Sequence, residues 1–251
     1  MNILVTGSEG FLGSEIIKVL KKKKFLVFGI SKHKKRSKDY NLINYDLLNY
    51  KGYSKLFKDN QFDILIHCAW YTDPKYYLHS KENIKWLKIS KYLIDEFYKN
   101  GGKQFVGIGT NAEFPYDSKN NKIPEKKFSK GAKTLYGISK SKLNYYLIKN
   151  YRKSKWIRLF WLFGKNEKNG RFFYEMVSKL KKNKKFVIEN PLIKRDYIST
   201  RQAAKLIVDI IFKKKGGQSF NVCSGKSISL KEIAHVVKNK INKGEIVLKK
   251  N

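Results

Sequence analysis

The sequence predicts an α/β fold built on a doubly wound parallel sheet, and three features support this prediction. Short apolar segments typical of strands alternate with segments whose apolar residues recur at helical spacing. The strand segments are apolar at consecutive positions, which is typical of strands covered by helices on both faces. The chain has 251 residues, a length that suits one large α/β domain or a domain with a small lobe.

The elements follow one another from the start of the chain. We expect strands at 2–6, 25–30, 62–68, 104–108, 156–160, 219–223 and 245–248, and helices at 11–20, 81–98, 134–150, 200–213 and 229–240. After Gly164 the pattern loosens, because residues 166–195 are rich in Lys, Asn and Gly. We therefore expect a main domain over 1–164, to which 200–223 returns, and a small interleaved C-terminal lobe built from 165–199 and 224–251.

The formal net charge of +35 is high enough to suggest a nucleic-acid-binding protein. However, only six of the 55 basic residues are Arg, which dedicated nucleic-acid surfaces use for bidentate contacts. The Lys residues are also spread along the whole chain. We therefore interpret most of the charge as a solvated surface, part of which could attract a polyphosphate substrate, and do not expect nucleic acid as a partner.

Cysteine usage and hydropathy narrow the class of protein further. Cys68 and Cys223 lie in apolar, strand-like segments, so we expect buried free thiols and not a disulfide. No Cys/His spacing is typical of a metal site. No apolar segment approaches 18 residues, and no targeting segment precedes the first strand. We expect a cytoplasmic protein with no metal site and no membrane contact.

A glycine-rich loop joins the first strand to the first helix, over Thr6-Gly-Ser-Glu-Gly-Phe-Leu-Gly13. Gly7 gives the turn backbone freedom, Gly10 lets a pyrophosphate approach the main chain, and Gly13 lets the helix pack closely. The helix N-terminus offers free N–H groups to phosphates. The alternative is an ordinary Gly-rich turn, but the strand-turn-helix context favours a Rossmann-like, dinucleotide-binding domain. We expect cofactor contacts at Gly7, Glu9, Gly10, Phe11, Leu12 and Gly13.

The end of the second strand bears on which dinucleotide binds. An NAD site usually carries a carboxylate there for the ribose 2′-hydroxyl. Residues 29–36 read Gly-Ile-Ser-Lys-His-Lys-Lys-Arg, and Ser31, Lys32 and His33 suit a 2′-phosphate. We therefore expect NADP(H), with NAD as the alternative if these lysines only reflect a Lys-rich chain. Asp46 and Leu47, after the third apolar stretch, are placed to meet the adenine.

A possible catalytic pair begins the helix at 134–150. Tyr136 and Lys140 are four residues apart and so share one helix face. A nearby ammonium favours the phenolate and lowers the pKa of a Tyr that otherwise titrates near pH 10. Such a Tyr can exchange a proton with a sugar oxygen while hydride moves to or from nicotinamide. Thr110, just past the strand at 104–108, can hydrogen-bond the same oxygen.

These segments together resemble the extended short-chain dehydrogenase/reductase family, in its NAD-dependent epimerase/dehydratase group. Further matches are His67-Cys68-Ala69-Trp70, Asn83, 158–164, 194–198 and 220–222. The resemblance implies that Thr110, Tyr136 and Lys140 are catalytic. It also implies that Cys68, Ala69, Trp70, Asn83, Tyr136 and Lys140 line the cofactor, and that Tyr71, Thr110, Asn111 and Arg195 contact substrate. For Arg195, an ion pair with Asp196 is the structural alternative.

Departures from the family pattern narrow the expected reaction. Asn111-Ala112 stand where family dehydratases carry Asp-Glu, so we do not expect elimination of water. Family epimerases retain NAD, which the basic end of the second strand argues against. We expect an NADPH-dependent reductase of a keto group, such as one at carbon 4, on a nucleotide-linked deoxysugar, in the synthesis of surface polysaccharides. An epimerase with retained NAD, and a non-catalytic dinucleotide-sensing or RNA-binding protein, are the alternatives. Helices 81–98 and 134–150 could form the interface of a homodimer.

Overall fold

A computed structural model describes residues 1–32, 37–115, 123–125, 128, 131–213 and 218–249. Their strands are β1 (Asn2–Thr6), β2 (Leu26–Ser31), β3 (Asn41–Asn44), β4 (Ile64–His67), β5 (Gln104–Thr110), β6 (Lys155–Leu159), β7 (Trp161–Phe163), β8 (Lys185–Ile188), β9 (Lys194–Ser199), β10 (Ser219–Val222), β11 (Ser227–Ser229) and β12 (Glu245–Leu248). Their helices are α1 (Gly13–Lys22), α2 (Tyr53–Asp59), α3 (Glu82–Lys99), α4 (Leu135–Asn150), α5 (Phe172–Lys181), α6 (Thr200–Phe212) and α7 (Leu230–Ile241).

The first compact unit comprises Met1–Leu159 and Arg201–Val222. Its seven strands pair in the order β10-β6-β5-β4-β1-β2-β3, and every pair is parallel. Every residue of β4 and β6 is buried, as strands covered on both faces should be. The sheet confirms the expected Rossmann-like fold. Successive strands extend the sheet to one side of β1 up to β3 and then to its other side from β4, so the loops after β1 and β4 flank a topological switch point.

The second compact unit comprises Phe160–Thr200 and Cys223–Asn251. It contains a β11-β9-β7 sheet and a parallel β12-β8 pair, with a core that includes Met176, Leu180 and Ile233. The unit begins before the expected residue 165, because β7 pairs with β9 and so belongs to this sheet. Helix α5 and strand β8 lie in the Lys-rich stretch for which the sequence predicted no element.

Both cysteines are half-buried, and no disulfide joins them. They directly follow β4 and β10 and do not lie within them, which is why they are less buried than expected. None of the helices in the described part of the chain is long and apolar enough to cross a membrane. Among those same residues, no group of three or more His, Cys, Asp or Glu side chains could hold a metal ion.

Candidate active site

The glycine loop after β1 has the geometry that a pyrophosphate needs. Gly7 has a φ of +64°, in the left-handed region, and a Cβ on it would lie 2.9 Å from the main-chain nitrogen of Ala69. A Cβ on Gly13 would lie only 2.2 Å from the Gly7 carbonyl oxygen. The described residues supply no acceptor for the main-chain N–H groups of Phe11 and Leu12, where α1 begins. These two donors are available to phosphate oxygens.

A buried histidine connects the loop after β4 to β1. One ring nitrogen of His67 lies 2.8 Å from Thr6 Oγ1 and the other 2.9 Å from Ser90 Oγ. Thr6 Oγ1 also accepts a hydrogen bond from the N–H of Ala69, which holds Ala69 against Gly7. Burial lowers the pKa of His67 to about 3, so the ring is neutral and its role is to connect strands. Sequence analysis did not assign His67 this role.

The carboxylate of Glu9, a residue of the glycine loop, lies at the end of β2. The hydroxyl of Ser31, the last residue of β2, donates a short hydrogen bond to the carboxylate of Glu9. Ser31 is buried, while Glu9 and Lys32 are exposed. His33, the third residue expected at a 2′-phosphate, lies outside the described residues. Sequence analysis expected Glu9 at the cofactor but did not place it at the end of β2.

The two residues expected at the adenine have local roles in this structure. The Asp46 carboxylate accepts a hydrogen bond from the N–H of Leu48 at 2.9 Å. Leu47 is buried in the main core, and its carbonyl accepts a hydrogen bond from the Tyr53 hydroxyl at 2.5 Å. Contact of Asp46 and Leu47 with adenine stays a prediction.

Helix α4 positions the expected catalytic pair. The Thr134 hydroxyl accepts from the N–H of Gly137 and caps the helix, so Tyr136 and Lys140 lie on its first turns. Tyr136 is half-buried, with its ring packed edge-on against Tyr77 at 5.1 Å between centroids. The Lys140 ammonium lies 6.0 Å from the centre of the Tyr136 ring. This geometry brings the two side chains together as the four-residue spacing predicted.

Lys140 is held in a buried setting by two contacts. Its Nζ donates to the carbonyl of Ile108 at 2.8 Å and lies 3.7 Å from the centre of the Trp70 ring, a cation–π contact. Burial lowers the pKa of Lys140 to about 7, although the negative side chain of Glu113 opposes this shift. The same burial raises the pKa of Cys68 to about 12. Cys68 is therefore a protonated thiol and not a nucleophile.

Asn83 acts on this site through Trp70. Trp70 Nε1 donates to Asn83 Oδ1 at 2.9 Å. The Asn83 amide nitrogen donates to the carbonyls of Tyr77 and Ser80 at 2.6 and 2.9 Å. The amide is fully buried, and its contacts fix the tryptophan that lies over the Lys140 ammonium. Sequence analysis expected both residues at the cofactor, but their link to each other depends on packing that spacing does not reveal.

Thr110 is held in place by a buried ion pair that sequence analysis missed. Its hydroxyl accepts from the N–H of Ala112 at 3.2 Å, and its own N–H donates to Glu113 at 2.9 Å. Glu113 also accepts hydrogen bonds from Trp156 Nε1 at 2.8 Å and Arg158 Nε at 3.1 Å. Burial raises the pKa of Glu113, while Arg158 opposes that rise. The available signal was a lone acid three residues after Thr110, with an Arg inside an apolar strand.

The residues expected at the substrate are distributed over both units. Tyr71 is half-buried against the core of the first unit, and Asn111 Oδ1 lies 3.4 Å from the Thr110 hydroxyl. Arg195 belongs to β9 of the second unit, with its guanidinium 4.9 Å from the centre of the Trp161 ring. The Asp196 carboxylate accepts instead from the N–H groups of Ser224 and Gly225. No Arg195–Asp196 ion pair occurs among the described residues.

A parallel sheet with a glycine loop at its switch point, followed by a Thr, Tyr and Lys set, defines a dinucleotide-dependent oxidoreductase. Residues 3–223 match the model of the NAD dependent epimerase/dehydratase family. The chain therefore belongs to this family and is an enzyme of the extended short-chain dehydrogenase/reductase type, as its motifs predicted. No curated protein sequence matches the chain at a significant level.

Solved structures support the same fold. A UDP-glucose 4-epimerase from Thermotoga maritima, with UDP-glucose, has a TM-score of 0.84 at 18% identity, covering 99% of this chain and 85% of that one. A UDP-glucuronic acid 4-epimerase from Bacillus cereus, with UDP-glucuronic acid and NAD, has a TM-score of 0.84 at 19% identity, covering 100% and 87%. An NAD-dependent NDP-hexosamine 5,6-dehydratase of tunicamycin biosynthesis has a TM-score of 0.81 at 16% identity, covering 99% and 84%.

Proposed function

We propose that the chain interconverts a hydroxyl and a keto group on a nucleotide-linked sugar. The observation that carries this proposal is the arrangement of Tyr136 and Lys140 on α4 next to β5, which ends at Thr110. The Lys140 ammonium lies on the ring of Trp70, the residue after the Ala69 that lies against Gly7 of the glycine loop. Tyr136 exchanges a proton with the sugar oxygen, and the Lys140 ammonium favours the phenolate that accepts it. The Thr110 hydroxyl, fixed by the N–H of Ala112, orients the same oxygen. Bound nicotinamide supplies or accepts the hydride.

Two net reactions fit this chemistry. The first is the reduction expected from the sequence, in which NADPH reduces a keto group, such as one at carbon 4 of a deoxysugar. Lys32 at the end of β2 supports it. The second is epimerisation, in which NAD is retained and no reductant is consumed. The Glu9 carboxylate at the end of β2 supports it, as does the match to an NAD dependent epimerase/dehydratase model.

The two reactions differ in whether reductant is consumed. Reduction predicts loss of absorbance at 340 nm when NADPH or NADH is added with nucleotide-linked 4-keto sugars. Epimerisation predicts conversion of nucleotide-linked hexoses with no added reductant, together with NAD that is released only on denaturation. Turnover of neither class of sugar, in protein that binds dinucleotide, would contradict the proposed substrate class.

The proton-transfer role is tested with Tyr136→Phe. We expect the turnover rate to fall by about 10²- to 10⁴-fold, the usual contribution of general acid–base catalysis, with little change in dinucleotide affinity. Tyr145→Phe is the matched control, because Tyr145 lies on the same helix and is exposed. A Tyr136→Phe variant as active as the Tyr145→Phe control would refute the assigned role.

The expected homodimer is part of the proposal. Ile84 and Tyr92 on α3, one of the two helices expected at the interface, are large apolar side chains exposed in the single chain, as residues of a helical interface would be. Light scattering of the purified protein tests this: a dimer should become a monomer when Ile84 is changed to Asp. A cytoplasmic location and a role in polysaccharide synthesis also belong to the proposal.

A further inference from the structure

We propose that Glu9 makes the dinucleotide site selective for NAD over NADP. The inference rests on the proposed function, because it concerns the cofactor of the same site. Glu9 supplies, from the glycine loop, the carboxylate that an NAD site usually carries at the end of its second strand. The sequence at 29–36 contains no acid, so the strand itself gave no indication of this.

Close packing of the glycine loop against β2 puts Glu9 in this position. A Cβ on Gly29 would lie 2.7 Å from the Ser8 Cβ and 2.3 Å from the Tyr40 ring, so the strand tolerates only glycine there. Ser8 is 1% exposed, and its hydroxyl donates to the carbonyl of Ile30 at 3.1 Å. The next residue of the loop, Glu9, therefore lies beside the next residue of the strand, Ser31.

The contact with Ser31 leaves Glu9 able to accept a further hydrogen bond. The Ser31 hydroxyl donates to Oε2 of Glu9, and the Ser31 carbonyl already accepts from the N–H of Tyr45 at 2.8 Å. Among the described residues, none donates a hydrogen bond to Oε1 of Glu9. The Glu9 side chain is also exposed, so a ligand can reach this oxygen. A carboxylate held in this way can accept from a ribose hydroxyl, as in other NAD sites.

The same carboxylate opposes a 2′-phosphate. Two like charges a few ångströms apart repel even when solvent screens them. Lys32 has a long, exposed side chain, and an ion pair made by such an exposed charge contributes little free energy. Because its hydrogen bond to Ser31 holds the Glu9 carboxylate in place, Glu9 should oppose a 2′-phosphate more than Lys32 attracts it. This reasoning favours the epimerase, which retains NAD, over the NADPH-dependent reductase.

The test is a titration of the purified, cofactor-stripped protein with NADH and NADPH, followed by nicotinamide fluorescence. We expect the wild type to bind NADH at least about tenfold more tightly than NADPH, a difference equal to about 1.4 kcal/mol. In Glu9→Gln, the ratio of the two dissociation constants should fall by about tenfold or more, mainly through tighter binding of NADPH. Thermal melting checks that this variant is folded.

Glu15→Gln is the matched control, because it removes an equal charge from the first turn of α1, where the Glu15 carboxylate pairs with Lys18 and not with Ser31. It should change the affinities for NADH and NADPH alike, so the ratio of the two dissociation constants should stay within about twofold of the wild-type ratio. An unchanged ratio in Glu9→Gln, or a wild type that prefers NADPH, overturns the inference alone. Binding of neither dinucleotide overturns the proposed function and the inference with it.

Discussion

The buried pair of Glu113 and Arg158 makes Glu113→Gln the most informative single change to the chain's stability. Both side chains are at most 1% exposed, and they are joined at 3.1 Å. Gln keeps the volume and an acceptor for Thr110 or Trp156, but it removes the negative charge that faces the buried Arg158 guanidinium. Removing one member of such a pair costs about 3–5 kcal/mol. Arg158 keeps its 2.8 Å bond to the carbonyl of Glu125, so we expect the lower end, about 3 kcal/mol.

The assay is urea unfolding at pH 7, extended to a double-mutant cycle with Arg158→Met. Arg158→Met removes the positive charge that Glu113→Gln leaves uncompensated. The double variant should therefore lose about 1–3 kcal/mol less unfolding free energy than the two single variants lose together. Asp209→Asn serves as control, since Asp209 pairs with Lys23 at 3.3 Å on the surface, and it should cost less than about 1 kcal/mol. A Glu113→Gln loss as small as that control, or an additive cycle, would refute the reasoning.

Two further changes probe the loop and the buried lysine. Gly13→Ala places a Cβ 2.2 Å from the Gly7 carbonyl, so it should cost about 1–3 kcal/mol in urea unfolding and weaken dinucleotide binding; wild-type stability would contradict this. Because the pKa of Lys140 is lowered to about 7 in the folded protein, the Lys140 side chain binds its proton more tightly in the unfolded chain than in the folded one. The stability of wild type relative to Lys140→Met should therefore rise between pH 7 and 9, by up to about 1.4 kcal/mol per unit; a flat difference argues against that pKa.

Six of the seven strands of the main sheet were predicted, because they read as apolar runs. The edge strand β3 was not predicted, because none of its residues is fully buried. Strand β1 was predicted at its observed bounds, and α3 and α4 within one residue. The second unit was less predictable, since its short strands are buried on one face at most. Strand β8 alternates exposed and buried residues, and β9 carries three charged residues in a row. Such strands depend on tertiary pairing more than on local hydrophobicity.

In the candidate site, too, the residues placed by local structure were predictable, and the contacts that depend on tertiary packing were not. Tyr136 and Lys140 were predictable because helical geometry alone places residues four apart on one face. Thr110 was predictable from its position at the end of a strand. The Glu113–Arg158 pair joins residues 45 positions apart in sequence, and the Glu9–Ser31 contact joins residues 22 apart. Neither follows from spacing, because each depends on which loops the packed sheet brings together.

The buried groups around the site explain how it is organised before any ligand binds. Lys140 is already fixed by the Ile108 carbonyl and the Trp70 ring, and Trp70 is fixed in turn by Asn83. Ordering these side chains in advance reduces the entropy lost when the cofactor binds. The cost is an ammonium in a poorly solvated position, seen in the lowered pKa of Lys140. A hydroxyl oxygen from the cofactor ribose would solvate that ammonium, so dinucleotide binding should raise the same pKa.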